Sequence, residues 1–275
     1  MPFVVSTDWI FPTVFHHINP IPYAQVQKRK FQCDFYEVPF VRYRPNGFPK
    51  KRFDIDDPDV KVRAGTLKVD FSTKLMKRGS FKTAHPGEIH FQGGTNPYAD
   101  EAVCVKQIYE TKEDKPAIIR LKGRHELEKL SAECNCLRWA SILLDLTYQF
   151  VDREVKKKGN PPLPIPRLRF PRSMIAIVVE SSKEKVFLVE EWLDLSKHPF
   201  EKYLGNRLPE SSLSDDATTE AHKITEFLLF AQHVQWQKTS RLVYTSDYQG
   251  AGDVLTDPQI TSDPCVTLYF LKTSY

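Results

Sequence analysis

The chain contains 275 residues, of which 41% are hydrophobic, 27% charged and 12% aromatic. A chain of this length forms one large domain or two small lobes with a sizeable core, and this composition excludes a disordered or fibrous protein. The 39 basic and 35 acidic residues leave a net charge of +4, an excess too slight to indicate nucleic acid or an anionic membrane as a partner.

Signals for membrane insertion or secretion are missing from the sequence. No apolar run approaches the roughly 18 residues that a membrane helix requires. The opening stretch MPFVVSTDWIFPTVFHH lacks a basic n-region and a small-residue cleavage site, so we expect no secretory signal. The five cysteines are odd in number and scattered, unlike the disulfide framework of a small secreted domain. We therefore expect an intracellular, cytoplasmic protein.

The hydrophobic pattern changes near residue 60. Residues 1–60 are rich in proline, aromatic and charged residues without a sustained period of 2 or 3.6, which predicts an irregular N-terminal extension. Short apolar runs punctuated by glycine and proline follow, and these are typical of strands joined by turns. Four strands are predicted in this region, over residues 62–71, 79–91, 102–109 and 117–122.

Two later segments carry the hydrophobic spacing of an amphipathic helix. Apolar and small residues recur at intervals of three and four over residues 127–151, and again over 221–234. The proline-rich connection at 159–172 cannot continue the first helix, so we expect a lobe boundary near it. The apolar runs 174–180 and 185–192 flank a polar turn and predict a hairpin.

The order of these elements indicates the fold class. A further strand is predicted over residues 241–246. Strands and a helix, followed by a helix and strands, indicate an α+β fold in two lobes. We expect a domain over residues 61–275, with an N-terminal lobe over about 61–180 and a C-terminal lobe over about 181–275.

The stretch DYQGAGDVLTDP groups carboxylates with an amide. Asp247 and Gln249 are two residues apart at the end of a predicted strand, so their side chains should lie on one face. Gly250 and Gly252 allow a tight turn that could bring Asp257 back beside them. Oxygen donors of this kind suit Mg²⁺ held against phosphates. An acidic surface loop is an equal alternative from the spacing alone.

Two lysines could contact phosphates. Lys106 lies in a predicted strand with valines facing the opposite side. In phosphoryl-transfer enzymes, such a lysine pairs with nucleotide phosphates and is held by a glutamate from a nearby helix. The long helix offers three glutamates for that role: Glu126, Glu128 and Glu133. The glycine-bearing turn at 77–87, with Lys82, could cradle an anion. A solvated lysine and an empty turn are the alternatives.

Taken in order, these motifs resemble a known family. The order is GSFKTA, VCVK, a long helix containing SAE, the strand FLVEE with PFEKYLGN, then FAQH and DYQGAGDVLTDPQI. This order resembles the atypical alpha-kinases, the family of myosin heavy chain kinase, elongation factor 2 kinase and the channel-kinases. The family pattern D-x-Q-G-V-G-x-x-x-T-D-P is matched except at the valine, where this chain has Ala251. The resemblance covers roughly residues 62–260.

The resemblance implies a two-lobed, atypical protein-kinase-like fold and the roles of four residues. It assigns Asp247 as the catalytic aspartate and Lys106 as the lysine that binds ATP phosphates. Gln249 and Asp257 correspond to the metal-binding pair, for which Mg²⁺ is the expected ion.

The same resemblance extends to three residues around the nucleotide. Glu190 matches the hinge glutamate at the adenine. Lys82 lies where the family usually has an arginine near the phosphates. Glu133 is the candidate partner of Lys106.

The end of the chain departs from the family. Alpha-kinases continue past D-P-Q-I into a glycine-rich segment and a zinc-binding tail, whereas this sequence ends SDPCVTLYFLKTSY. His233 matches the internal zinc histidine of the family. One histidine with Cys265 cannot supply the four ligands of a closed zinc site, so we expect an incomplete zinc site and a truncated C-terminal lobe.

Two functional hypotheses follow from the motifs. The first is an ATP-dependent serine/threonine protein kinase that acts on a protein substrate and has neither nucleic acid nor membrane as a partner. The second is a catalytically impaired pseudokinase that serves as a nucleotide-binding or scaffold module. The complete set of catalytic residues favours the enzyme, and the departure at the tail favours the scaffold. An RNA-binding protein has little support, because no aromatic-basic RNP-like motif is present.

Overall fold

The structure is a computed structural model of the chain. It describes residues 28–44, 52–72, 82–93, 102–112, 115–159, 161, 164–179, 185–206, 210–214 and 217–263. The strands are β1 (Arg29–Glu37), β2 (Val62–Val69), β3 (Lys82–Phe91), β4 (Ala102–Lys112), β5 (Lys115–Arg120), β6 (Ser173–Val178), β7 (Val186–Glu191), β8 (Phe200–Lys202), β9 (Val243–Ser246), β10 (Gln249–Ala251), β11 (Val254–Thr256) and β12 (Gln259–Ser262). The helices are α1 (Gly123–Lys158) and α2 (Thr219–Lys238). Antiparallel sheets beside two helices confirm the α+β class.

The largest sheet has seven strands in the order β3-β2-β1-β6-β7-β4-β5. Strands β3 and β4 also pair with each other, so six of the strands form a closed antiparallel ring, with β5 attached to β4. The inward side chains of this ring form a hydrophobic core that includes Phe35, Leu67, Ile89, Val105 and Phe187. Closure of the ring pairs both edges of β3 and β4, which fixes the register of the strands that carry Lys82 and Lys106.

Strand β1 lies where the sequence analysis predicts irregular chain. Phe31, Cys33 and Phe35 alternate with polar residues, and this period of 2 places Cys33 and Phe35 in the core. The strand pairs with β2 on one side and β6 on the other. The alternation is too short to stand out within 60 residues of mixed composition, so the pairing partners decide the structure here. Residues 1–27 lie outside the described part of the chain.

The predicted hairpin at 174–192 is confirmed as β6 and β7, which pair antiparallel. Strand β7 also pairs with β4, so the seven-stranded sheet continues beyond residue 180, where the sequence analysis divides the lobes. The predicted strands at 62–71, 79–91, 102–109 and 117–122 correspond to β2 to β5.

Helix α1 has 36 residues and contributes to two separate cores. Near its start, Leu130 and Cys134 pack in a cluster with Ile175 and Leu188 of the large sheet. Further along, Leu144 belongs to a second cluster that contains residues of α2 and of the chain around residue 248. The helix ends at Lys158, and the next residue, Gly159, caps it with a φ of 86° and a backbone N–H that donates to the Val155 carbonyl. The predicted helix, from residue 127 to the basic run at 156–158, is therefore confirmed, and it begins four residues earlier than predicted.

The second half of the molecule is built around α2. Thr218 caps this helix, because its hydroxyl accepts a hydrogen bond from the Ala221 backbone N–H at 3.1 Å. Strands β8, β10 and β11 form a three-stranded sheet, and β9 pairs with β12. The predicted helix at 221–234 and strand at 241–246 are both confirmed. Over the described residues, neither helix contains an apolar segment long enough to cross a bilayer.

Candidate active site

Five charged side chains from separate parts of the fold meet beside the large sheet. Lys82 begins β3, Lys106 lies in β4, and Glu190 lies in β7. Glu133 projects from α1, and Asp257 follows β11 directly. The cluster holds two positive and three negative groups, joined by four contacts of 2.6–3.0 Å.

Lys106 is buried at the centre of this cluster, with 6% of the residue exposed. Its Nζ lies 2.6 Å from Oε2 of Glu190 and 2.8 Å from Oδ1 of Asp257. Burial alone would lower the pKa of Lys106, but the charges of Asp257 and Glu190 outweigh burial and raise the pKa well above its ordinary value. The ammonium group therefore stays protonated at any physiological pH.

Lys82 is the second positive group. Its Nζ lies 2.6 Å from Oε2 of Glu133 and 3.0 Å from Oδ1 of Asp257. Burial opposes the charge, but the attraction of Asp257 and Glu133 prevails and raises the pKa of Lys82 above its ordinary value. The structure thus corrects the expected pairing of Glu133 with Lys106, because Glu133 pairs with Lys82.

The glutamate that pairs with Lys106 comes from a strand and not from the helix. Lys106 is the register partner of Leu188 and Cys104 is the partner of Glu190, so all four side chains lie on one face of the sheet. Glu190 is thereby diagonal to Lys106 and within reach of its ammonium group. This register is set by long-range pairing of β4 with β7, which spacing along the sequence does not reveal.

Asp257 receives both lysines on the same oxygen, Oδ1. Burial would raise the pKa of this carboxyl, but the charges of Lys106 and Lys82 hold it well below the usual range. The residue has a φ of 48°, in the left-handed region, and this conformation turns the carboxylate toward the two lysines immediately after β11.

Gln249 begins β10, and Asp257 directly follows the neighbouring strand β11, as the predicted turn requires. Gln249 is the register partner of Thr256, the residue before Asp257. Among the described residues, no three His, Cys, Asp or Glu side chains are grouped as a complete metal site. An amide oxygen and a carboxylate still fit a phosphate-bound Mg²⁺, because that ion takes one or two protein ligands and completes its shell with water and phosphate oxygens.

The turn between β10 and β11 depends on its glycines. A Cβ at Gly250 would lie 2.1 Å from the Val254 carbonyl oxygen, so only glycine fits. Gly252 has a φ of 59°, which favours glycine for conformational reasons. This hairpin returns the chain toward Gln249, as the sequence analysis predicts.

Asp247 is buried in the loop between β9 and β10, with 6% exposed. Its φ of 58° shows that it does not continue the strand, so the alternation argument that places it on one face with Gln249 is wrong. Lys202 Nζ lies 2.8 Å from Oδ1, and Gln259 Nε2 donates to Oδ2 at 3.3 Å. Both oxygens of this carboxylate therefore have a neighbour of favourable charge or polarity.

Lys202 is a site residue that the sequence analysis did not identify. It lies in the motif PFEKYLGN, which is one of the motifs that carry the family resemblance. The resemblance assigns no role to this lysine. In the structure, Lys202 of β8 is the register partner of Gln249, two residues from Asp247. The sequence signal that could have identified Lys202 is its position in a short segment that ends at Gly205.

A buried polar network holds the loop from behind. Tyr248, between Asp247 and Gln249, accepts a hydrogen bond at its hydroxyl from Gln235 of α2 at 3.2 Å. The Gln235 amide also donates to Thr147 of α1 at 3.4 Å and accepts from the Thr245 backbone N–H at 2.8 Å. These contacts tie both helices to the loop that carries Asp247.

The expected zinc residues do not form a site in the described part of the chain. His233 is exposed on α2, and Cys265 lies outside the described residues. The four cysteines that the structure describes, Cys33, Cys104, Cys134 and Cys136, are free thiols.

The chain is similar to known proteins both in sequence and in structure. The model of the alpha-kinase family matches residues 77–265. Among solved structures, the alpha-kinase domain of myosin-II heavy chain kinase A in complex with AMP-PNP is 14% identical and has a TM-score of 0.48, with 86% of this chain and 84% of that chain covered. The same domain in complex with ADP is 13% identical, with a TM-score of 0.47 and the same coverage. A search of curated proteins found no match.

Proposed function

We propose, because this chain belongs to the alpha-kinase family, that it is an ATP-dependent protein kinase that transfers the γ-phosphate of ATP to serine or threonine in a protein substrate. One observation carries the proposal. Two lysines held on paired strands converge on Asp257, which is joined through one short hairpin to the buried Asp247. Fixed positive charge on the nucleotide side and a buried carboxylate held by Lys202 and Gln259 suit phosphoryl transfer, where positioning and electrostatic stabilisation supply most of the catalysis.

The lysines are assigned to the phosphates. Lys82 and Lys106 provide two positive charges, with side chains 19% and 7% exposed, so their attraction to phosphates is less screened than in bulk water. Glu133 and Glu190 hold these ammonium groups in place from α1 and β7. Glu190 remains our assignment for the adenine side of the site, and its carboxylate serves in addition as the counter-charge of Lys106.

Gln249 and Asp257 are assigned to Mg²⁺. When bound, this ion would neutralise charge on the phosphate oxygens. With Asp257 assigned to this ion, its contacts with Lys82 and Lys106 would be exchanged, and both ammonium groups would become available to the phosphates.

Asp247 is assigned to the acceptor hydroxyl. A carboxylate in this position orients the serine or threonine hydroxyl of the substrate and accepts its proton as the phosphoryl group is transferred. Lys202 and Gln259 keep the carboxylate oriented, because they contact its two oxygens from opposite elements, β8 and β12.

Transfer of labelled phosphate from ATP to a basic protein substrate tests this function directly. We expect incorporation on serine or threonine by the wild-type chain with Mg²⁺, and none by Asp247→Ala. Phosphoamino-acid analysis of the product checks the residue type. If a folded wild-type chain binds Mg·ATP but transfers no phosphate, the proposed kinase activity is contradicted.

That result would favour the second candidate, a pseudokinase that binds nucleotide as a scaffold. One observation favours this candidate: the charges of Lys82, Lys106 and Asp257 are already matched within the protein. A nucleotide must displace these internal contacts, and a site that binds without turnover would serve as a switch. Binding of Mg·ATP without phosphate transfer distinguishes the two.

We place the protein inside the cell. The free thiols of the described cysteines support a reducing compartment. Fractionation of cells that express a tagged chain tests the location.

A further inference from the structure

The hydroxyl of Thr256 lies between the two oppositely charged groups at the centre of the site. It accepts a hydrogen bond from Lys106 Nζ at 3.3 Å and donates one to Glu190 Oε2 at 3.3 Å. The direction of both bonds follows from chemistry, because an ammonium group only donates and a carboxylate only accepts. Thr256 therefore donates its single hydroxyl hydrogen to Glu190 and accepts the Lys106 hydrogen bond through an oxygen lone pair.

All three residues are buried, with 5% of Thr256, 6% of Lys106 and 3% of Glu190 exposed. Bulk water therefore cannot readily replace the hydroxyl. An ammonium group has three N–H donors, and the structure provides an acceptor for each: Glu190, Asp257 and Thr256. The position of Lys106 Nζ is thus set by groups from β7 and from the end of β11.

We propose, on the basis of the kinase function proposed above, that Thr256 is a positioning residue for Lys106. Its hydroxyl fixes the lysine and Glu190 relative to each other and holds the ammonium group where it reaches the nucleotide phosphates. If Asp257 held Mg²⁺ in the nucleotide complex, Glu190 and Thr256 would be the contacts of Lys106 that remain, so the hydroxyl would then matter more.

The pair Thr256→Val and Thr256→Ser isolates the hydroxyl. Valine keeps nearly the same shape and removes both hydrogen bonds, whereas serine keeps the hydroxyl. We expect the Kd for Mg·ADP, measured by titration calorimetry, to rise about five- to tenfold in Thr256→Val, since a net hydrogen bond is worth about that factor. Thr256→Ser should stay within about twofold of the wild type.

A matched control separates this role from simple loss of stability. Thr225 is also buried, with 3% exposed, and its hydroxyl donates to the Ala221 carbonyl within α2 at 2.9 Å. Thr225→Val should lower the urea midpoint of unfolding by an amount similar to that of Thr256→Val and leave the Kd for Mg·ADP unchanged. Equal loss of affinity in both valine variants would overturn the proposal.

A double-mutant cycle tests the contact without any nucleotide. Urea unfolding is compared for the wild type, Thr256→Val, Glu190→Leu and the double variant. We expect non-additive changes in the free energy of unfolding, because the two side chains share a buried hydrogen bond. Additive changes would overturn the proposed link.

The Mg·ADP titrations of the wild type and of Thr256→Val together separate failure of this inference from failure of the proposed function. A folded wild-type chain that binds no Mg·ADP would overturn both the kinase function and the role of Thr256. A wild-type chain that binds Mg·ADP, with Thr256→Val binding equally tightly, would overturn the role of Thr256 alone.

Discussion

Lys82 and Lys106 lie on the paired strands β3 and β4, and both donate to Oδ1 of Asp257, at 3.0 and 2.8 Å. One carboxylate oxygen thereby compensates two ammonium groups whose like charges repel each other. The arrangement is stable only while Asp257 remains ionised, which the two lysines themselves ensure.

We predict that Asp257→Ala weakens both the fold and metal-dependent nucleotide binding. Removal of the shared carboxylate leaves two largely buried positive charges facing each other, which should lower the free energy of unfolding by about 1–3 kcal/mol. Urea denaturation measures the first effect, and thermal shift with Mg·ATP and with ATP plus EDTA measures the second. A variant that retains the full Mg²⁺-dependent increase in Tm would contradict the assignment of Asp257.

Asp247→Ala is predicted to behave differently from Asp257→Ala. Asp247 is assigned to the incoming hydroxyl, which is absent from the complex with nucleotide alone. The variant should lose phosphate transfer and keep its Kd for Mg·ATP within about threefold, a difference of under 1 kcal/mol. Equal loss of ATP binding in the two variants would show that the separation of their roles is wrong.

Glu126 makes stability depend on pH near neutrality. This residue is 2% exposed, and one oxygen accepts a hydrogen bond from the Val186 backbone N–H at 3.3 Å. Burial raises the pKa of Glu126 from 4.5 to about 7. The folded state therefore binds a proton that the unfolded state has lost, so the free energy of unfolding should decrease as the pH rises from about 4.5 to about 7.

Glu126→Gln should remove most of that decrease. Because glutamine resembles the protonated carboxyl, the variant should be more stable than the wild type at pH 8 by about 2 kcal/mol and similar to it at pH 4.5. Urea midpoints between pH 4.5 and 8 provide the comparison. Parallel pH profiles for the two proteins would exclude Glu126 as the titrating group.

Gln235 is predicted to support the loop of Asp247 through Tyr248. Gln235→Leu removes donors and an acceptor from a fully buried network, which should lower the free energy of unfolding by about 1–3 kcal/mol and reduce the rate of phosphate transfer. Gln237→Leu is the control, because Gln237 is exposed on the same helix two residues later. Similar stability in both variants would argue against the network.

The glycines of the site should differ in their tolerance of alanine. Gly250→Ala brings a Cβ to 2.1 Å from a backbone oxygen, so the hairpin must open and nucleotide binding should be lost. Gly252→Ala should cost about 1–2 kcal/mol through its positive φ, and its Cβ would also lie 2.9 Å from the His198 ring, which must shift. Gly205→Ala should be tolerated, because the nearest atom to its Cβ would be Ser212 Oγ at 3.4 Å. Thermal unfolding of the three variants tests this order.

Regular periodicity explains which parts of the fold could be predicted. The spacing from Leu127 to Val151 and the apolar runs of β6 and β7 are local signals, and the structure confirms both. Strand β1 was not predicted, because Phe31, Cys33 and Phe35 are too few alternating apolar residues to indicate a strand on their own. The strand forms because β2 and β6 pair with it on either side. Local sequence carries no record of these partners.

The site shows the same division between local and long-range information. Gln249 and Asp257 lie within one short stretch, so the hairpin that pairs Gln249 with Thr256 could be predicted from the glycine turn. The pairing of Lys106 with Glu190 depends on the register of β4 against β7, across more than 80 residues. Position along the chain therefore offered only the helix glutamates Glu126, Glu128 and Glu133, of which the family resemblance favoured Glu133. Lys202 was not identified, because its contact with Asp247 depends on β8 pairing with β10.

Helix α1 limits how the two halves of the site can move. Its 36 residues make a rod about 54 Å long, which is built into the core below Lys106 at one end and the core below Asp247 at the other. A free rotation of one half about a flexible connection would break one of these two cores. Closure around a nucleotide must therefore bend this helix or slide it by small amounts, so its backbone is where a spectroscopic label would report the closing motion.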